Sequence, residues 1–175
     1  MISGQEMQWY AVRVKSNREW VTAEALKGKD LEVFLPTYQQ HGSGRNTARA
    51  ISVPLFAGYL FCRFDVGNRL PILMVPGVVH IVGYGNIPEP VDADEMTRVF
   101  AVTQSHLQVT PYPYPPVGEY VRLEAGPLRG VVGVVLAHQD ENKLVVSVTL
   151  LQRAIAVDVE RDWIAPASLQ LSSSA

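Results

Sequence analysis

Four histidines, one cysteine and a short acidic cluster are the side chains of this 175-residue chain that could carry bond-making chemistry. His41, His80, His106 and His138 are scattered, with no HExxH or other metal-ligand spacing, so no metal centre is expected. Cys62 lies in the run Tyr59-Leu-Phe-Cys-Arg-Phe64 and alternates with Leu60 and Phe64. That pattern describes a packed core thiol rather than a nucleophile. Asp92, Asp94 and Glu95 could act as paired carboxylates, but they stand at the start of a helical pattern. Capping and dipole compensation account for them there. Gly83-Tyr-Gly85 is too short for a dinucleotide loop. The expectation is a chain that is not an enzyme and needs no cofactor.

The residue types that stand out suit binding instead. In the strand-like run ending at Phe64, Leu60 and Cys62 share one face with it, and Tyr59, Phe61 and Arg63 share the other. The first strand divides the same way, with Tyr10, Val12 and Val14 against Trp9, Ala11 and Arg13. A sheet with helices on one face is ordinarily polar on the other. Here Trp, Tyr and Phe alternate with Arg, the composition of a protein-binding surface. A covering helix or second domain would explain the same pattern, and either way it is a contact face.

Composition narrows the partners. The chain is 47% hydrophobic and 18% charged, as in ordinary globular proteins. No stretch approaches about 20 consecutive apolar residues, and the N-terminus lacks the basic start and apolar run of a signal peptide. One cysteine excludes an internal disulfide and fits a reducing compartment, so a cytoplasmic location is expected. With 15 basic and 17 acidic residues there is no global positive field to gather phosphates. Proteins are the expected main partners, and nucleic acid a secondary one.

These residues need elements to hold them. Residues 8–14 read as a strand, and Ser16 to Glu19 has capping-box spacing ahead of a helix reaching Leu26. Residues 31–38 and 51–64 are strand-like, around a polar loop at 39–50 that carries Arg45 and Arg49. A short helix is expected at 69–74 and a strand at 78–82. A helix follows Asp92, with Met96, Val99, Phe100, Thr103 and Leu107 at helical intervals. Four prolines between positions 111 and 116 then favour an extended linker at 108–116. Beyond it the helical period disappears, leaving five short strands with Gly turns, the pattern of a small closed barrel. The expected fold class is α+β: an antiparallel sheet with helices packed on it, then a five-stranded all-β barrel.

The motifs, in this order, resemble the NusG family. Trp9-Tyr10, Phe34-Leu-Pro-Thr-Tyr38, Pro54-Leu-Phe-Ala-Gly-Tyr-Leu-Phe61, Val75-Pro-Gly-Val-Val-His-Ile-Val82 and Pro90-Val-Asp-Ala-Asp-Glu-Met96 are similar to its N-terminal domain. Gly118-Glu-Tyr-Val-Arg-Leu123, Gly126-Pro-Leu-Arg-Gly-Val-Val-Gly-Val-Val135, Lys143-Leu-Val-Val-Ser-Val148 and Arg153-Ala-Ile-Ala-Val157 resemble a KOW domain. The resemblance implies a polymerase-binding domain at 8–107, a Pro-rich linker at 108–116 and a KOW β-barrel at 117–166. It implies a monomeric elongation and antitermination factor that grips the clamp of the largest RNA polymerase subunit and suppresses pausing. The gripping residues would be Trp9, Arg13, Phe56, Tyr59, Phe61 and Tyr84. A second contact, with the opposite pincer of the polymerase, would come from about Asn68 to Pro71.

Non-template or upstream DNA would lie near Lys15, Arg18, Arg45 and Arg49. The barrel would recruit Rho or a ribosomal protein around Leu150, Leu151 and Arg153. Two adjacent leucines in a strand cannot both face one core, so one is expected at the surface. The family's Phe-Pro-Gly-Tyr stands here as Phe56-Ala-Gly-Tyr59, a drift of the kind found in operon-specific paralogues. The competing expectation is a ribosome-associated or RNA-binding KOW protein. It sits poorly with five basic against seven acidic residues over 117–166.

Overall fold

The computed structural model describes residues 6–42, 49–138 and 141–166. The N-terminal half is built on β1 (Gln8–Val14), α1 (Glu19–Lys27), β2 (Glu32–Phe34), β3 (Thr37–His41), β4 (Ala50–Pro54), β5 (Tyr59–Phe64), α2 (Leu70–Leu73), β6 (Val78–Ile81), β7 (Gly83–Tyr84), β8 (Ile87–Pro88) and α3 (Ala93–Gln104). An antiparallel sheet runs in the order β2-β5-β1-β6, while β3–β4 and β7–β8 are separate hairpins. The 51–64 stretch is therefore two strands, broken where Gly58 takes φ +81°.

Alternation sets the two faces. Tyr10, Val12, Val14, Leu60, Cys62 and Phe64 cluster with Ala23 and Leu26 of α1 and Ile72 of α2. Ala11 and Phe61 point the other way, into a second cluster with Met96, Val99 and Val102 of α3. The helices thus lie on both faces of the sheet. Asp92 caps α3 as expected, its Oδ1 accepting from the amides of Asp94 and Glu95 at 3.0 Å. The capping box at α1 does not form: no side chain caps that helix, and Glu19 turns inward to the Gly58 amide.

The C-terminal half consists of β9 (Val109–Tyr112), β10 (Glu119–Leu123), β11 (Val132–His138), β12 (Glu141–Val148), β13 (Arg153–Val159) and β14 (Ile164–Pro166). All five expected strands are present, and β9 adds a sixth in the order β14-β10-β11-β12-β13-β9. Part of the expected linker is thus strand, with Pro111 opposite Ile155. Proline is tolerated there because β9 is an edge strand, whose outward side needs no ladder donor. Val121, Leu123, Leu144, Val146, Ile155 and Val157 fill one side of the sheet. On its other side Tyr112 and Tyr114 of the Pro-rich segment cover Val134, Val145, Ala154 and Ala156.

The two halves pack together through α3. Apolar residues of the N-terminal sheet, α3 and the C-terminal sheet form one contiguous cluster, and β12 runs against α3. At the seam Glu95 Oε2 accepts the Thr149 amide at 3.0 Å, and Oε1 accepts the Thr149 hydroxyl. Glu95→Ala should cost about 1 kcal/mol in urea unfolding. The Glu95→Ala/Thr149→Ala double variant should cost no more than Glu95→Ala alone, because Glu95→Ala already removes the hydroxyl bond that Thr149→Ala deletes. Strict additivity would show that the hydroxyl bond does not form. Among the described residues no helix is long and apolar enough to cross a membrane.

Candidate functional site

The aromatic and arginine side chains singled out in the sequence come from β1, β5, the turn before β5 and the β7–β8 hairpin, and Phe34 of β2 joins them. Antiparallel register places Trp9 opposite Arg63, Ala11 opposite Phe61 and Arg13 opposite Tyr59, with Phe34 on the far side of Phe61. Directly opposed residues share a face, so one patch of rings and guanidinium groups is unavoidable. Arg13 lies over the Tyr59 ring, 4.8 Å from its centroid. Arg63 instead pairs with Glu32 at 3.4 Å at the surface, a contact worth little.

The patch has an inner and an outer part. Phe61 is 0% and Phe56 2% exposed, with their rings edge-on at 5.6 Å. Phe34 stacks on Phe100 of α3 at 4.2 Å, and Trp9 meets Phe100 edge-on at 5.3 Å. A helix therefore covers this end of the face. Trp9, Arg13 and Tyr59 remain half-buried at its margin. Tyr84 and Ile87 of the β7–β8 hairpin are 72% and 73% exposed. Phe34 and Phe100 were not picked out as members of this cluster from the sequence. Their signal was present: apolar residues at 96, 99, 100 and 102 span a wider arc of α3 than one stripe.

The turn at 55–58 positions the margin. The Phe56 carbonyl accepts the Tyr59 amide at 2.9 Å, and the Gly58 carbonyl accepts the Val14 amide at 2.9 Å. A Cβ on Gly58 would lie 2.4 Å from an Arg13 Nη atom and would displace the guanidinium from its present place, and the φ of +81° itself favours glycine.

Lys15, Arg18 and Arg49 are exposed, while Arg45 lies outside the described residues. In the C-terminal half the leucine expectation needs correcting. Residues 149–151 form a single 3-10 turn, not strand, closed by Gln152 at φ +50°. Strand alternation no longer applies, and both side chains turn inward: Leu151 is 7% exposed and Leu150 is half-buried against the same core. Arg153 is exposed beside them. Among the described residues no group of three or more His, Cys, Asp or Glu is placed to hold a metal. What the site can do is bind a protein surface through rigid aromatic and arginine side chains.

Known proteins resemble this chain over most of its length. Residues 7–100 match the family model described as NusG, transcription termination factor nusG. The transcription termination/antitermination protein NusG of Thermus thermophilus is 27% identical over 179 residues, spanning 88% of this chain and 95% of that protein. The protein of the same name from Helicobacter pylori is 22% identical over 166 residues, spanning 87% and 94%. A solved structure described as domain interaction in Thermotoga maritima NusG shares the fold, with a TM-score of 0.57 at 20% identity. That match spans 93% of this chain and 98% of the other.

Proposed function

Because this chain belongs to the NusG family of transcription termination/antitermination factors, a family that binds RNA polymerase, we propose that it is an elongation and antitermination factor gripping the polymerase clamp. Residues 8–107 act as the gripping domain. Trp9, Arg13, Tyr59 and Tyr84 supply the contact, and Phe56 and Phe61 hold it rigid from beneath. Clamping the largest subunit disfavours the open, paused state and so lengthens uninterrupted synthesis. Lys15, Arg18, Arg45 and Arg49 add a secondary contact with upstream or non-template DNA. Residues 117–166 act as a KOW module that recruits Rho or a ribosomal protein around the 149–153 turn, with Arg153 exposed for contact and Leu150 and Leu151 packed beneath it.

The observation that carries the polymerase reading is the Arg13–Tyr59 pair, a guanidinium 4.8 Å above a half-buried ring on a rigid sheet. Arginine and tyrosine dominate the energy of protein interfaces, and a fixed pair loses little entropy on docking. The test is titration of the full chain against core RNA polymerase. Arg13→Ala and Tyr59→Ala should each weaken binding about tenfold or more, at the hot-spot scale of roughly 1–2 kcal/mol. Both should leave the folded state intact, since neither residue is in the buried core. An unsubstituted chain that fails to bind core polymerase would rule the function out. Equal binding by all three proteins would move the contact to another face.

A further inference from the structure

Glu19 is a buried carboxylate that the docking surface described above does not include. It is 6% exposed, at the first residue of α1, and its Oε1 accepts the Gly58 amide at 2.8 Å across 39 residues of sequence. A buried carboxylate is costly unless it is hydrogen-bonded, and a short bond from an amide to a charged acceptor is among the stronger kinds. What it holds is specific. Gly58 stands at φ +81°, its carbonyl is taken by Val14, and the Arg13 guanidinium occupies the place of its missing side chain.

We propose that Glu19 is a positioning residue for polymerase binding, tying α1 on one face of the sheet to the turn that presents Phe56 and Tyr59 on the other. The proposal rests on the polymerase reading above. With the Gly58 amide bound, the 55–58 turn has one orientation, and Arg13 lies across it onto Tyr59. Without that bond the turn can rotate about Gly58, and the Arg13–Tyr59 pair loses its fixed geometry while the sheet core remains. Glu19 itself, being buried, touches no partner.

The experiment compares the full chain with Glu19→Gln, which keeps a neutral acceptor, and Glu19→Met, which has similar length and no acceptor. Affinity for core RNA polymerase and the amide resonance of Gly58 are read together, with the thermal midpoint as a check on folding. Glu19→Met should weaken binding about tenfold and shift the Gly58 amide upfield. Glu19→Gln should shift the amide less and bind within about threefold of the unsubstituted chain. Unchanged binding by Glu19→Met, or an unmoved Gly58 amide, would overturn the proposal. If Glu19→Met does not fold, Glu19→Gln decides alone: folded protein with a tenfold or greater loss of binding overturns it. No binding by the unsubstituted chain would instead strike the polymerase reading, leaving the Gly58 shift to report on the hydrogen bond.

Discussion

Phe61→Ala should lower the unfolding free energy by about 3–5 kcal/mol, the range for deleting a buried ring whose cavity cannot collapse. Phe61 is fully buried on β5, between β2 and β1, so no neighbouring strand can close over the gap. It meets Phe34 at 6.1 Å and Phe56 at 5.6 Å, and aromatic pairs add to the loss. For a chain of this size the thermal midpoint should fall on the order of 10 °C. Denaturant titration checks it, with a lower midpoint and an unchanged slope. Tyr59→Ala, two residues away at the margin, should cost far less. Any loss of polymerase binding in Phe61→Ala therefore reports on the fold, whereas the same loss in Tyr59→Ala reports on the contact. A cost below about 1 kcal/mol would mean that α3 does not seal this face.

That contrast marks how far alternation carries an argument. Period two assigned Leu60, Cys62 and Phe64 to one face and Tyr59, Phe61 and Arg63 to the other, and the packing follows it residue by residue. The same rule cannot say what lies above a face, because a helix, a second domain and a foreign protein all select aromatic residues. Here α3 takes one end of the face, burying Phe61 and Phe56, and leaves Arg13 and Tyr59 at its margin. The helix in turn carries the C-terminal sheet on the same apolar cluster.

Where sequence reasoning missed, tertiary contacts had overridden a local signal. Ser16 and Glu19 have capping-box spacing, yet Glu19 bonds Gly58, a residue 39 positions away. Leu150 and Leu151 would split across a strand, yet the chain turns there and both side chains face inward. The prolines of 108–116 exclude a central strand but not an edge one, and β9 forms at the edge of its sheet. No motif distinguishes these outcomes, because each depends on what the fold brings alongside.

Cys62 supplies the second large effect, in alkaline solution. The thiol is wholly buried on the face of β5 that α1 and α2 cover, and burial, with a smaller contribution from the Glu32 charge, pushes its pKa up to about 12 from an ordinary 9.0. The unfolded chain releases this proton near pH 9, while the folded chain holds it until about pH 12. Its contribution to stability is therefore fully present below pH 9 and is lost as pH rises through that window. By pH 11 the loss should be roughly 2–3 kcal/mol. Tyr10, also raised by burial, acts in the same direction, so a wild-type curve alone does not isolate the thiol. Comparison with Cys62→Ala does. That variant should be less stable at pH 7, by about 1 kcal/mol for its small cavity, and the deficit should shrink and then reverse between pH 9 and 11. A constant difference across that window would show that the thiol titrates alike in both states. Thiol alkylation at pH 8 gives a second readout: Cys62 should react only at the rate of global unfolding, as a fully buried and protonated sulfur must.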